Sequence, residues 1–314
     1  MRYGFGIDLG GTFVKLASFT EEGVLLEKWQ IPTVTKDNGK QILPDIAASV
    51  DAYIREKGWT REDIVGIGMG VPGAVDKNGI VDQCDNLGWP TQNVRETFSR
   101  MTGVPVLVCN DANAAALGES WKGGGSGFES MVLVTLGTGV GGGIVLDGKP
   151  LLGIRGSAGE VGHMVIRKEE PIYCSCGKRG CAEQYCSATG IVRLAKARLQ
   201  STSEESALRE KTEFTCKDVF DAAMAGDDLA AQTLEEVYDC LGQLLANICC
   251  VVNPQAIVLG GGVSKAGKPL LEGAKRYFER YAYHAAGAEF VLARLGNDAG
   301  VYGAFKLIMD NRNI

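Results

Sequence analysis

The sequence predicts an α/β fold made of two related halves, and three observations support this prediction. Buried apolar strands alternate with segments of helical periodicity along the 314 residues. A strand, a glycine-rich hairpin and a second strand open the chain, and the same arrangement returns near residue 130. Glycine, with 43 residues, is about twice as frequent as its usual share of roughly 7%. Many backbone positions must therefore turn sharply or lie close to another group.

The first half combines an antiparallel meander with buried parallel strands. Short apolar runs separated by glycine turns predict the meander, and two longer apolar runs predict the buried strands. Residues 41–57 have helical periodicity, and Gly58 supplies the stop signal. A further helix is expected after residue 110. The predicted strands are 3–8, 13–20, 24–30, 64–71 and 104–109.

The second half repeats the hairpin and adds longer helices. A broad apolar face runs along the predicted helix 228–252, which Asn253 and Pro254 end. The boundary between the halves is expected near residues 115–130. The other predicted elements are strands 130–136, 142–146 and 256–259 and helices 187–199, 269–283 and 299–309.

Composition indicates a globular protein whose partner is a small molecule. With 45% hydrophobic and 22% charged residues, the chain can bury the core of two ordinary domains. Ten cysteines without an N-terminal secretion signal predict a reducing cytoplasm. The apolar runs are too short to cross a bilayer, and the net charge of −6 argues against a nucleic-acid or anionic-membrane surface.

A group of metal-ligand residues lies between positions 163 and 181. His163 is one of only two histidines, and Cys174, Cys176 and Cys181 follow it within a glycine-punctuated segment. One imidazole and three thiolates fill all four positions of a tetrahedral zinc ion, which predicts a closed structural site. The alternative is three unrelated core thiols beside a solvated histidine.

Two glutamates flank these ligands. Glu160 precedes His163 by three residues, and Glu183 follows Cys181 by two. A zinc ion would hold both carboxylates close together, and carboxylates accept hydrogen bonds from adjacent hydroxyl groups such as those of a sugar. The pattern therefore predicts a polyol pocket, although either glutamate alone would be read as a surface charge.

Three glycine loops each follow a buried strand and together predict a polyphosphate site. Glycine lets backbone N–H groups face phosphate oxygens, the Thr12 and Thr138 hydroxyls can donate as well, and Asp8 could organise magnesium. None of the loops is a P-loop, and the hairpin context differs from a dinucleotide-binding unit. Tight hairpin turns are the alternative for any single loop. The loops are residues 8–15, 136–143 and 259–264.

These segments, taken in order, resemble the ROK family of sugar kinases. The resemblance rests on D-x-G-G-T-x-x-K from Asp8, V-P-G at 71–73, N-D-A-N-A-A at 110–115, L-G-T-G-V-G-G-G from 136, G-E-x-G-H at 159–163 and C-x-C-G-x-x-G-C-x-E at 174–183. It implies a duplicated ribonuclease-H-like fold, as in actin and hexokinase, with ATP in a cleft between two domains and the last helix packed on the first. The expected domains are 1–118 plus 297–314 and 119–296.

The resemblance also implies roles for individual residues. Asp111 corresponds to the family's catalytic base; taken alone, an aspartate after a strand would usually be a helix N-cap. Lys15 could neutralise phosphate charge or could be a solvated surface lysine. The implied sugar contacts are Gly73, Asn86, Asn110, Asp111, Glu160, His163 and Glu183, and the implied ATP contacts are Asp8, Gly10, Gly11, Thr12, Gly137, Thr138, Gly139, Gly261 and Gly262.

The expected activity is phosphorylation of the 6-hydroxyl of glucose with ATP and magnesium, because residues 181–193 most resemble the glucokinase branch of the family. Another hexose, namely N-acetylmannosamine, N-acetylglucosamine, fructose or allose, is the first alternative. A sugar-responsive repressor is the second, although such repressors carry a DNA-binding segment ahead of the motif that begins here at Asp8. A homodimer or homotetramer is expected. The seven cysteines outside the zinc motif are expected to be buried small apolar residues.

Overall fold

The computed structural model describes residues 1–311 and contains two five-stranded mixed sheets and one two-stranded ribbon. The strands are β1 Tyr3–Leu9, β2 Phe13–Thr20, β3 Leu25–Pro32, β4 Ile64–Val71, β5 Ile80–Val81, β6 Gln92–Asn93, β7 Val106–Asn110, β8 Met131–Leu136, β9 Val140–Leu146, β10 Lys149–Pro150, β11 Ala256–Gly260 and β12 Glu289–Leu292. The helices are α1 Lys36–Gly39, α2 Ile42–Lys57, α3 Val94–Thr102, α4 Asp111–Lys122, α5 Glu183–Cys186, α6 Ala188–Ser201, α7 Cys216–Met224, α8 Asp228–Val252, α9 Lys268–Tyr281 and α10 Ala299–Asp310.

The two large sheets have the same strand order. In the first sheet the order is β3-β2-β1-β4-β7, and in the second it is β10-β9-β8-β11-β12. Each sheet therefore begins with a meander of three strands and continues with two parallel strands that follow long connections. The predicted duplicated α/β fold is confirmed.

Alternation along β1 gives the first sheet two different faces. Phe5, Ile7 and Leu9 are fully buried in the cluster that also contains residues of α2. Glycines occupy the opposite face of the sheet, and their lack of a side chain lets α10 lie directly on it. On the neighbouring strand β4, for example, a Cβ added to Gly68 would come within 1.6 Å of the carbonyl oxygen of Ala304 in α10. The last helix thus packs on the first sheet, as the family resemblance implies. Each buried aliphatic or aromatic side chain contributes about 1.5–3 kcal/mol to stability.

The second sheet has a fully buried strand beside its edge, and the long helix α8 packs against α6, α7 and α9. β11, whose five residues are all buried, pairs in parallel with β8 and with β12. The predicted bounds of α8 are confirmed, and its C-cap is Asn253, which has φ of 48° in the left-handed region. Asparagine tolerates that conformation better than most residues, and Pro254 cannot continue the helix.

Contacts divide the chain into two compact units. The first comprises 1–129, 143–159 and the segment from Leu295 to the end of the described chain, and the second comprises 130–142 and 160–294. The domain bounds expected from the sequence stay a prediction, and the last three residues of its first domain, 312–314, lie outside the described residues. Within residues 1–311, no helix has the length and apolar character needed to cross a membrane.

The structure corrects the expectation that all remaining cysteines are buried. Cys249 is buried, but Cys250 is exposed and Cys216 is half-buried. Neighbouring residues of a helix point about 100° apart, so the residue beside a buried one on α8 faces solvent. Sequence reasoning also missed α3, α7 and β12. β12 is only four residues long, and its side chains are half-buried or exposed, which leaves little apolar signal.

Candidate active site

The first candidate group lies where β7 ends and α4 begins. Asn110 is 8% exposed, and its Oδ1 accepts hydrogen bonds from the backbone N–H groups of Ala112 (2.9 Å) and Asn113 (3.2 Å). Its Nδ2 donates to the Gly73 carbonyl oxygen at 3.0 Å. Asn110 is therefore the N-cap of α4, and the alternative that Asp111 caps this helix is wrong.

Asp111 is the first residue of α4. The N–H groups of a first helical turn carry partial positive charge, which favours a carboxylate there. Burial raises the pKa of the neighbouring Cys109 thiol to about 12, and the charges of Asp111 and Asp8 add to this shift. The fold thus brings the carboxylates at the ends of β1 and β7 into the same neighbourhood, with an uncharged thiol beside them.

Gly73 lies beside Asn110 and also close to Cys84. Its φ is +92°, and a Cβ added there would come within 3.8 Å of the Cys84 Cβ. Cys84 anchors a tight loop through paired backbone hydrogen bonds with Trp89, and Asn86 is exposed on the single turn Asp85–Leu87 within it. The structure therefore joins Gly73 to Asn110 directly and places Asn86 on a neighbouring loop.

Lys15 pairs with Asp8. Its Nζ lies 3.1 Å from Asp8 Oδ2 and also donates to the Asn297 carbonyl oxygen at 3.1 Å. Asp8 lies against the start of α10, because a Cβ on Gly300 would come within 2.6 Å of the Asp8 Cγ. The side chains are 37% and 17% exposed, so the pair contributes modestly to stability. Lys15 is thus not a simple solvated lysine.

Neither backbone conformation nor packing within the described chain requires glycine at three positions of the predicted phosphate loops. Gly11, Gly137 and Gly262 do not have a positive φ, and a Cβ added to any of them would meet no atom of the described chain within 4 Å. Gly261, by contrast, has φ of +81° and packs against the Leu136 carbonyl group at the end of β8. Open space over a glycine backbone is what the close approach of a ligand requires.

The loop between β8 and β9 is held in place from α5 and α6. Ala188 N–H donates to the Gly137 carbonyl oxygen at 2.8 Å, and the Thr189 hydroxyl donates to the Thr138 carbonyl oxygen at 2.7 Å. Val140 N–H donates to Glu183 Oε2 at 3.1 Å. The loop conformation is therefore fixed by groups that lie 43 to 51 positions further along the chain.

The four predicted metal ligands converge. One ligand atom from each of His163, Cys174, Cys176 and Cys181 lies within 4.8 Å of all the others. The Cys174 Sγ to His163 Nδ1 distance is 3.7 Å, and the Cys176 Sγ to Cys181 Sγ distance is 3.6 Å. Ligand atoms around a tetrahedral zinc ion with bonds of about 2.0–2.3 Å are separated by about 3.5–3.8 Å. The donor set and its spacing therefore fit zinc.

Local backbone structure explains how the ligands meet. Cys174 N–H donates to the Lys178 carbonyl oxygen at 2.7 Å, and Gly177 N–H donates to the Cys174 carbonyl oxygen at 2.9 Å, which closes a tight turn. Gly180 has φ of +77°, and a Cβ there would come within 1.6 Å of the Arg167 carbonyl oxygen. A hydrogen bond from the backbone of Lys178 lowers the pKa of Cys176, which favours the thiolate.

Glu183 connects the metal loop with the glycine loop. Its Oε1 accepts from the Ser175 hydroxyl at 3.0 Å and lies 3.5 Å from Cys174 Sγ, while its Oε2 accepts from Val140 N–H. Gly139 is tightly packed here, since a Cβ on it would come within 2.3 Å of Glu183 Oε2. Glu160 is exposed and directly precedes the single turn Val161–His163.

A cavity of about 620 Å³ opens between these parts of the second unit. It borders on Thr138 and Gly139 of the glycine loop, Cys174 and Ser175 of the metal loop, and Glu183. The structure thus brings the metal ligands, Glu183 and the loop 137–139 together, and separately gathers Gly73, Asn110, Asp111 and Asp8 in the first unit. Sequence reasoning missed Ser175 and Thr189. For Thr189 a helix-capping pattern at S-A-T-G, residues 187–190, was an available signal.

A model of the ROK family matches residues 4–311 of this chain. The chain belongs to the ROK family. A glucokinase of Halalkalibacterium halodurans is 43% identical over 318 residues, which cover 99% of this chain and 96% of that protein. The crystal structure of a ROK family glucokinase from Streptomyces griseus in complex with glucose and AMPPNP has a TM-score of 0.76 and 33% identity, covering 97% of this chain and 98% of that one.

The family also contains regulators. A xylose repressor of Caldicellulosiruptor bescii is 29% identical over 315 residues, which cover 98% of this chain and 78% of the repressor. The predictions of a ROK family member that resembles the bacterial glucokinases, and of an enzyme in the sugar-kinase class, are confirmed by the matches to the family model and to the glucokinases.

Proposed function

We propose that this ROK sugar kinase is an ATP-dependent glucokinase, which transfers the γ-phosphoryl group of ATP to the 6-hydroxyl of glucose. The choice of glucose is supported by the 43% identity to a glucokinase over 99% of the chain. The observation that carries the catalytic assignment is the position of Asp111 as the first residue of α4, directly after the N-cap Asn110.

Asp111 is the base in this proposal. Its carboxylate takes the proton of the 6-hydroxyl while the sugar oxygen forms a bond to the γ-phosphorus. The bond between that phosphorus and the bridging oxygen breaks, and its electron pair leaves with ADP. Most of the acceleration in phosphoryl transfer comes from positioning and from compensation of charge. The reaction therefore needs only one proton acceptor from the protein, and Asp111 at the start of α4 has that role here.

The proposed sugar contacts are polar groups that can pair with ring hydroxyls. A carboxylate has about four acceptor positions, so Glu183 can accept from a sugar while it still holds Ser175 and Val140. His163 presents Nδ1 to the thiols, which leaves Nε2 for a hydroxyl. The proposed set is Gly73, Asn86, Asn110, Asp111, Glu160, His163 and Glu183.

The proposed nucleotide contacts are the three glycine loops. The open space above Gly11, Gly137 and Gly262 supports this assignment, because a phosphate could approach their backbone N–H groups closely. Magnesium would enter with ATP, and Asp8 is the carboxylate proposed to organise it. Lys15 pairs with Asp8 in the structure. The proposed set is Asp8, Gly10, Gly11, Thr12, Gly137, Thr138, Gly139, Gly261 and Gly262.

Zinc is the proposed occupant of the site formed by His163, Cys174, Cys176 and Cys181. With four protein ligands the ion would have no open position, so it would supply a cross-link and no reaction step. This cross-link would hold the loop that carries Ser175 and the ring of His163 in place.

Assembly as a homodimer or homotetramer also stays a prediction.

Two other functions are carried as alternatives. A kinase for N-acetylmannosamine, N-acetylglucosamine, fructose or allose would keep the same base and loops, since ring contacts alone do not identify a substituent. A sugar-responsive regulator is favoured by one observation, the alignment of 98% of this chain with a xylose repressor. The regulator would bind a sugar without consuming ATP.

Coupled measurement of ADP release tests the proposal. The protein is assayed with ATP and magnesium against glucose, mannose, fructose, allose, N-acetylmannosamine and N-acetylglucosamine. The expected result is a kcat/KM for glucose above that for every other sugar. A higher value for another sugar would replace the substrate and keep the mechanism. Sugar binding without ADP release, together with retarded migration of DNA fragments, would replace the kinase by a regulator.

A further inference from the structure

We propose that Thr189 is a positioning residue for nucleotide binding, because its hydroxyl orients the peptide groups of the loop 137–139. The inference rests on the proposed function, since it concerns the loop assigned to the phosphates of ATP. Thr189 was not among the predicted contacts. It lies in the first turn of α6, 51 residues beyond Thr138 in the chain.

Two successive carbonyl groups of the loop point at the start of α6. The Gly137 carbonyl oxygen accepts from Ala188 N–H at 2.8 Å, and the Thr138 carbonyl oxygen accepts from the Thr189 hydroxyl at 2.7 Å. The second bond is the only one of the two that a side-chain substitution can remove. It is also the bond nearer to Gly139, the tightly packed residue of the loop.

Peptide planarity converts these two bonds into the orientation of two donors. In a trans peptide the C=O of one residue and the N–H of the next point in opposite directions. When the Gly137 and Thr138 carbonyls face α6, the N–H groups of Thr138 and Gly139 must face away from it. Adjacent N–H groups with a common direction form an anion-binding arrangement, and the space beside Gly137 is open.

The start of α6 is itself rigid, so it can serve as a fixed reference. Ser187 caps the helix, with its Oγ accepting from Gly190 N–H at 3.0 Å. One turn later Arg193 pairs at 3.3 Å with Glu170, whose side chain is only 5% exposed, and it also donates to the Gln184 carbonyl oxygen at 2.9 Å. Because these bonds hold the start of α6 in place, the Thr189 hydroxyl has a fixed position from which to bind the loop.

Thr189 is exposed, so its hydroxyl can be removed without disturbing the core. Thr189→Val replaces the hydroxyl by a methyl group of similar size, and Thr189→Ser retains the donor. Thr212→Val makes the same chemical change at another exposed threonine of the second unit and serves as the control. Each variant is compared with the wild type in binding of AMPPNP and of glucose by calorimetry, in the KM for ATP and for glucose, and in Tm.

Thr189 Oγ1 also lies 3.0 Å from Ser187 Oγ, a contact that Thr189→Ser retains. Loss of the hydrogen bond to the Thr138 carbonyl oxygen predicts a rise of about three- to tenfold in the Kd for AMPPNP and in the KM for ATP of Thr189→Val. Glucose binding and Tm should match the wild type, and Thr189→Ser and Thr212→Val should bind AMPPNP like the wild type. Unchanged AMPPNP affinity in Thr189→Val, or an equal loss in Thr189→Ser, would overturn the inference and leave the proposed function intact. A wild-type protein that neither binds AMPPNP nor releases ADP would overturn both.

Discussion

Two neighbouring residues at the start of α4 have different roles, Asn110 as the helix N-cap and Asp111 as the proposed base. Asn110 satisfies the first free N–H groups of the helix and ties the strand end to Gly73. Asp111, one position later, has its Oδ1 within 2.8 Å of Ala112 N–H and is the base in our proposal. The two side chains therefore make different experimental predictions.

Replacing Asp111 by asparagine should abolish most turnover. The amide has the shape of the carboxylate but cannot take a proton from the 6-hydroxyl, so kcat should fall by roughly 10²- to 10⁴-fold. Glucose affinity, measured by calorimetry, should change little because the hydrogen-bonding shape is retained. Turnover close to the wild-type value would remove Asp111 from the role of base.

Replacing Asn110 by alanine should lower stability. The change removes the cap acceptor and the bond to Gly73, so the free energy of unfolding should fall by about 0.5–2 kcal/mol. Asn110→Ser keeps a capping oxygen and should lose less. Urea unfolding followed by circular dichroism measures both, and equal stabilities for the wild type and Asn110→Ala would refute the capping role.

At the element scale, the metal loop and the glycine loop meet at Glu183. The loop that carries Cys174 and Ser175 is short and rich in glycine, so its shape depends on what holds the thiols together. Zinc binding to such a segment is coupled to its folding. The order of the loop, and with it the position of Glu183 and of the loop 137–139, should therefore depend on the metal.

Chelation provides the corresponding prediction. Removal of zinc should lower Tm and weaken glucose binding together, because the proposed contacts His163 and Glu183 both depend on the metal loop. Metal content is measured by mass spectrometry beside thermal unfolding and calorimetry. A metal-free protein with unchanged Tm and unchanged glucose affinity would contradict a structural role for the ion.

Two exposed cysteines supply a matched pair of variants for the same question. Cys176 belongs to the cluster, whereas Cys250 lies on α8 outside it. Cys176→Ser should reduce bound zinc well below one ion per chain, and Cys250→Ser should leave the content unchanged. Equal zinc content in the two variants would show that the ion is held elsewhere.

At the scale of the whole molecule, the sequence determined the fold through patterns that are local. The apolar run of β1 and the helical periodicity of α2 and α8 were each visible within a single segment, of 7, 16 and 25 residues respectively. The metal ligands were visible because thiol and imidazole are rare and were close together. The identical order of the two sheets follows from the repeated hairpin.

Other features could not be read locally because they depend on contacts between distant segments. The bonds from Glu183 to Val140 and from Thr189 to Thr138 join parts of the chain 43 and 51 residues apart. The exposure of Cys250 depends on which face of α8 the neighbouring helices cover, and the pairing of Lys15 with Asp8 depends on the register of β1 with β2. No composition or spacing rule contains this information.

The measurement that tests the account most directly is phosphorus NMR of the product formed from ATP and glucose, with Asp111→Asn as the control. We predict one new phosphomonoester resonance split by the two C6 protons, which identifies glucose 6-phosphate, and almost none in the same time with Asp111→Asn. A resonance split by the single anomeric proton, or equal product from both proteins, would contradict the proposed reaction or its base.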